Sequence, residues 1–237
     1  DFTVSSGSGV SGCVMQASNN LMYGVTSSGG ANNLGVIYRF DPVTFQYNDV
    51  FDLDSTTGYY GSYMHLIEAT NGKLYGMMTV GGTYNKGTLF CYDLSGNTFT
   101  VLVNFNDVDG CSPTGSLMQA ANGKLYGMTY AGGVNNLGVI FSYDLSTSTF
   151  TKLLDFVSAT GSHPTRSLTA ASDGKLYGTT SSGGANNMGV IFSYDPAANT
   201  FSDIYDGNSA DGTNFNCDVT EPSSVVFNAM QQIFQNN

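Results

Sequence analysis

The chain contains no tryptophan, only two histidines and only two glutamates, Glu68 and Glu221, in 237 residues. A serine or cysteine hydrolase needs a histidine to carry the proton, and here neither His65 nor His163 has a GxSxG serine elsewhere in the chain to serve. A metal-oxidase site built from Tyr, Cys and His is equally ill supplied, because the two histidines lie in different copies of a repeating pattern. Basic residues are scarce: seven Lys plus Arg stand against 18 Asp plus Glu, a formal charge of −11. Such an acidic protein repels nucleic acid phosphates and anionic lipid, so neither is an expected partner. No apolar run approaches the roughly 18 residues of a membrane-crossing helix, and membrane insertion is not expected. Cys13, Cys91, Cys111 and Cys217 form no CxxC pair, which removes the usual zinc and redox spacings. A disulfide among them stays open, while Cys91, inside an apolar strand, reads as a buried small hydrophobe.

Glycine and aromatics are abundant instead: 30 Gly, 15 Tyr and 15 Phe suit short strands joined by tight turns. Their placement is periodic. Tyr-Gly recurs at Tyr23, Tyr75, Tyr126 and Tyr177, spaced 52, 51 and 51 residues, and three further markers keep the same phase. These are Gly-Gly from Gly29, Gly81, Gly132 and Gly183, Asn-x-Gly from Asn33, Asn85, Asn136 and Asn187, and an aromatic-Asp step ending at Asp41, Asp93, Asp144 and Asp195. Each unit reads as four strands. In the third copy, SLMQA from Ser116 and KLYGMTY from Lys124 flank the hairpin turn Asn122-Gly123, and GVIFSYD and FTKLLDF supply the third and fourth strands.

A four-stranded meander apolar on both faces needs neighbours on both sides. The expected fold is therefore an all-β single repeat domain, a β-propeller of four-stranded blades. Four complete repeats (about 13–64, 65–115, 116–166 and 167–223) are followed by a partial one at 224–237, where SSVVFNA and QQIF resemble first and second strands. Asp1 is in phase with the ends of the fourth strands, so the chain is expected to start inside a unit, as a processed chain or a segment of a longer one.

The pattern KLYGMTYAGGVNNLGVIFSYDLSTSTFTKLLDF resembles the GloVer tandem repeat of bacterial choice-of-anchor proteins, over nearly the whole chain. It is also similar in layout to the kelch repeat, but the fourth-strand aromatic is Phe99, Phe150 or Phe201, with Tyr47 in the first copy, and tryptophan is absent. The resemblance implies export and extracellular or cell-surface residence, and no particular activity.

Ligand recognition is expected where the repeat breaks. The connection STTGYYGSYMH places Tyr59, Tyr60, Tyr63 and His65 where other copies carry Ser, Cys, Pro or Gly, and Tyr84 departs from the pattern in the next loop. Exposed tyrosines combine a flat apolar face with a hydrogen-bonding tip, which suits a glycan or a surface protein. No cofactor is expected beyond a structural calcium, for which Asp107 and Asp109 in NDVDG and Asp206, Asn208 and Asp211 in DGNSADG are the candidates. Turn capping by the same side chains is the simpler reading. The functional expectation is a non-catalytic binding, adhesion or structural module. The alternatives are a secreted carbohydrate-active enzyme and a filament subunit that self-associates through the incomplete terminal repeat.

Overall fold

The computed structural model describes residues 7–60, 65–209, 215 and 218–220. They form four separate four-stranded antiparallel sheets, each a simple meander in chain order. The first holds β1 (Ser8–Gln16), β2 (Met22–Ser28), β3 (Val36–Phe40) and β4 (Tyr47–Asp52). The second holds β5 (Ile67–Glu68), β6 (Lys73–Met78), β7 (Thr88–Asp93) and β8 (Thr98–Asn104). The third holds β9 (Cys111–Gln119), β10 (Leu125–Ala131), β11 (Val139–Asp144) and β12 (Thr149–Asp155). The fourth holds β13 (Thr169–Ala170), β14 (Leu176–Thr179), β15 (Val190–Asp195) and β16 (Thr200–Asp206). A single 3₁₀ turn, Ser158–Thr160, links the third sheet to the fourth. The expected terminal repeat at 224–237 lies outside the described residues.

The repeat markers are the parts that turn the chain. At the first hairpin Asn71 Oδ1 accepts the Lys73 N–H (3.2 Å) while its Nδ2 donates to the Tyr75 hydroxyl (2.9 Å), and Asn122 does the same for Lys124 and Tyr126. In the fourth copy aspartate replaces asparagine and the direction inverts: the Tyr177 hydroxyl donates to Asp173 Oδ2 at 2.8 Å. The tyrosine of Tyr-Gly therefore clamps its own turn. Between the third and fourth strands an aspartate caps the turn; Asp144 Oδ1 accepts the Ser146 hydroxyl (2.6 Å) and the Ser146 N–H (2.9 Å). These bonds, the hydroxyl first, hold the Asp144 carboxyl down at about 2. A depressed carboxyl stabilises the fold above its unfolded value of about 4 and ceases to as pH falls through about 2. Asp144→Asn should accordingly melt below the wild type at pH 6, with the difference vanishing as melting curves are taken toward pH 2.

Both faces of the central strands are buried, and alternation assigns them to different cores. In the third sheet Leu125, Val139 and Phe141 join one cluster with the first two sheets, while Tyr126, Met128 and Ile140 join a second with the fourth sheet. Between the later sheets, the residue that follows the fourth strand acts as a wedge. Phe105 is fully buried against Phe141 and Phe150 of the third sheet, with ring centroids at 5.2 and 5.9 Å; Phe156 repeats this against Phe192 and Phe201. Leu53 holds the wedge position after the first sheet. Gly207 holds it after the fourth, and a Cβ there would meet the Phe215 ring at 2.9 Å.

Candidate functional site

Five in-phase positions, two of them inside first strands, converge. Cys13, His65, Ser116, Ser167 and Asp218 are in phase, at spacings of 52, 51, 51 and 51 residues. Each backbone N–H from His65 onward reaches the next copy: His65 N donates to Ser116 Oγ (2.8 Å), Ser116 N to Ser167 Oγ (2.9 Å) and Ser167 N to Asp218 Oδ1 (2.9 Å). All five residues line one cavity of about 620 Å³. Its walls are apolar, with Val14, Met15, Leu66, Ile67, Leu117 and Val219, so the polar groups are confined to the ring itself and to Thr169 and Thr220. Among the described residues, the Cys13 thiol and the His65 imidazole have no hydrogen-bond partner, which leaves both free to meet a ligand.

Of the described residues expected from the broken repeat, His65 alone stands in this cavity. Tyr59 forms a bridge with Val80, and Tyr60, about half exposed with φ 58°, accepts the Thr79 N–H on its carbonyl. Tyr84 is 57% exposed in the following loop. It replaces the asparagine that elsewhere ties this loop to the next connection, as Asn135 Nδ2 does to the Phe156 carbonyl at 2.9 Å. Tyr63 lies outside the described residues. Tyr59, Tyr60 and Tyr84 thus flank the loops of one copy without a ring contact between them.

The repeated polar residues serve the scaffold. Asn33, Asn85, Asn136 and Asn187 accept the N–H of the first glycine in their loops, and Asp52, Asn104, Asp155 and Asp206 accept the N–H of Ala31, Thr83, Val134 and Ala185. Among the calcium candidates, Asp107 pairs with Lys86 at 2.9 Å, Asp109 accepts from Asn106 Nδ2 at 2.7 Å, and Asn208 donates to the Tyr205 hydroxyl at 3.1 Å. Asp211 lies outside the described residues. Among the described residues no three His, Cys, Asp or Glu side chains gather as metal ligands. Cys13, Cys91 and Cys111 are free thiols; Cys217 is outside the described residues.

A model of the Gloeobacter/Verrucomicrobia repeat matches residues 1–171. The chain belongs to that family. No functionally curated protein matches the sequence. Among solved structures, this Gloeobacter/Verrucomicrobia repeat chain is similar to TolB from Acinetobacter baumannii, at 16% identity and a TM-score of 0.55, over 84% of this chain and 44% of TolB. It is also similar to the extracellular domain of BT3049 from B. thetaiotaomicron, described as a hybrid two component system (19% identity, TM-score 0.53, 84% of this chain, 22% of that one). A third likeness is to a chain of the nidogen/laminin complex (11% identity, TM-score 0.52, 80% of this chain, 60% of that one). At these identities the likeness concerns the fold. The repeat chain spans between about a fifth and three fifths of those structures' lengths. No helix among the described residues is long and apolar enough to cross a membrane.

The cavity had a signal in the sequence of this repeat chain. Scaffold positions keep Asn or the closely similar Asp, whereas phase position 13/65/116/167/218 runs Cys, His, Ser, Ser, Asp. His65 stands out in the sequence because it sits beside the tyrosines; the other four look ordinary until the fold brings the five positions to one cavity.

Proposed function

We propose that the four sheets are successive blades of a β-propeller and that the chain is an extracellular or cell-surface binding module whose ligand enters the axial cavity. One observation carries this reading: five in-phase positions, occupied by Cys, His, Ser, Ser and Asp, line the same cavity. Radial packing brings first strands to a common axis, and the fold-level likenesses agree with it. The surface residence that the resemblance to choice-of-anchor proteins implies and the extracellular domain among the similar structures support the location. Apolar walls with a small ring of hydrogen-bonding groups suit a sugar residue or a short peptide end.

A non-catalytic role is favoured because, among the described residues, the cavity lining holds one carboxylate, Asp218, whereas glycoside hydrolysis works with a facing pair. Glu68 is engaged elsewhere, accepting from the Ser18 N–H (2.7 Å) and hydroxyl (2.5 Å) of the first copy. Exposed Tyr60 and Tyr84 support a second reading, in which the rim is the contact surface. A glycan array separates the two. His65→Ala should reduce binding at least about tenfold, the loss of one good polar contact, while Tyr59→Ala/Tyr60→Ala leaves it within twofold. The reverse order assigns binding to the rim, and absence of glycan binding by wild type rules out the sugar version.

A further inference from the structure

Around the axial cavity one link recurs and then fails. The side chain at the ring position of each later copy accepts the backbone N–H of the copy before it: Ser116 from His65 at 2.8 Å, Ser167 from Ser116 and Asp218 from Ser167, both at 2.9 Å. Among the described residues no corresponding bond joins the Cys13 N–H to the His65 side chain, whose imidazole has no hydrogen-bond partner. Both first strands that extend through this position bulge at it. Residues 12–14 have no partners in β2, between the pairs Ser11↔Val25 and Met15↔Tyr23, and residues 115–117 have none in β10, between Thr114↔Met128 and Met118↔Tyr126. A bulge takes its extra residues out of the ladder and re-aims them. In the third copy the Ser116 N–H goes across to Ser167; in the first copy the Cys13 N–H meets no such acceptor.

The open link therefore has a donor on one side and, on the other, an imidazole with one nitrogen to donate and one to accept. A ligand oxygen with two lone pairs closes it. A charged oxygen is disfavoured, because the described lining already carries Asp218 without any Lys or Arg, and the chain as a whole has a formal charge of −11. The lining residues next to the link in the chain, Val14, Leu66 and Ile67, are apolar, which asks for a small apolar group beside that oxygen. We infer that the open link takes the carbonyl oxygen of an acetamido group, and that the ligand is an N-acetylated amino sugar. The amide supplies an uncharged oxygen, and its methyl suits the apolar wall. The sugar hydroxyls suit the hydroxyls of Ser116 and Ser167 and the second oxygen of Asp218, whose Oδ1 is held by Ser167. This assignment rests on the axial cavity being the binding site.

Amide exchange and titration followed by NMR test both parts. Without ligand, the Cys13 amide should exchange with solvent at least about tenfold faster than the Ser116 and Ser167 amides. His65→Ser gives the first link the acceptor that the third and fourth copies use, and should slow Cys13 to match them. Chitotriose, the N-acetylglucosamine trimer, should shift the Cys13 amide and the His65 imidazole signals. The glucosamine trimer, which lacks the carbonyl, should bind at least about tenfold more weakly, and His65→Ser should lose chitotriose to a similar degree while melting at or above the wild type. A Cys13 amide as protected as that of Ser116 overturns the inference. So does chitotriose binding that leaves Cys13 and His65 undisturbed, or that the glucosamine trimer equals. A wild type that does not bind chitotriose overturns it as well; if binding of another glycan is then lost on His65→Ala, the cavity reading survives and the acetamido assignment alone falls.

Discussion

Phe105→Ala is expected to destabilise the chain by about 3–5 kcal/mol, the range for emptying a fully buried phenylalanine site. For a chain of this size that lowers the melting temperature by roughly 10–15 °C. Phe105 is the wedge between the second and third sheets, and both rings it touches, Phe141 and Phe150, belong to the next copy. The cavity left behind cannot close by local relaxation, since it is bounded by two different sheets whose spacing is set along their whole length. In repeat architectures each unit is stabilised chiefly by its neighbours. The loss should therefore appear in hydrogen exchange as earlier opening of the first two sheets relative to the last two, and not as a uniform weakening. Val43→Ala, at a site 82% exposed, is the control and should stay within about 0.5 kcal/mol. Equal effects of the two substitutions would mean that the wedge does not couple the sheets.

Gly138→Ala is expected to cost about 2–4 kcal/mol, from two sources acting together. Its φ of 97° lies where side chains are rarely tolerated, and a Cβ would stand 2.3 Å from the Thr129 carbonyl oxygen and 2.9 Å from Pro164 Cδ. Neither neighbour yields easily, because one is backbone in a central strand and the other begins the approach to the fourth sheet. Gly35, Gly87 and Gly189 meet the same carbonyl in their own copies, which is why Asn-x-Gly recurs without exception. Gly123 separates the contributions: it has φ 81° but nothing within 4 Å of a Cβ. Gly123→Ala should cost only about 1 kcal/mol, the conformational part alone. Urea melts of the two variants read the difference directly; equal midpoints would show that the close approach at Gly138 carries no weight.

These particulars also show where sequence reading reached its limit. The four-stranded unit, its phase and its hairpin turns were legible because local rules produce them: positive-φ residues at turns, two-residue alternation in strands, and Asp capping the turn at its end. The loop contacts of Asn136 and Asp155 obey the same local rules, since their partners lie within one copy. His65 was noticed for its sequence neighbours, yet its importance comes from Ser116, Ser167 and Asp218, which are 51, 102 and 153 residues away in the chain.

What the sequence by itself determined is the repeating unit of this Gloeobacter/Verrucomicrobia repeat chain, because each unit is made by contacts only a few residues apart. The assembly of units is another matter. The gathering of Cys13, His65, Ser116, Ser167 and Asp218 around one cavity and the wedges between sheets depend on how one copy is set against the next. That setting arises from side-chain packing across roughly 51-residue separations, and only the tertiary structure decided it.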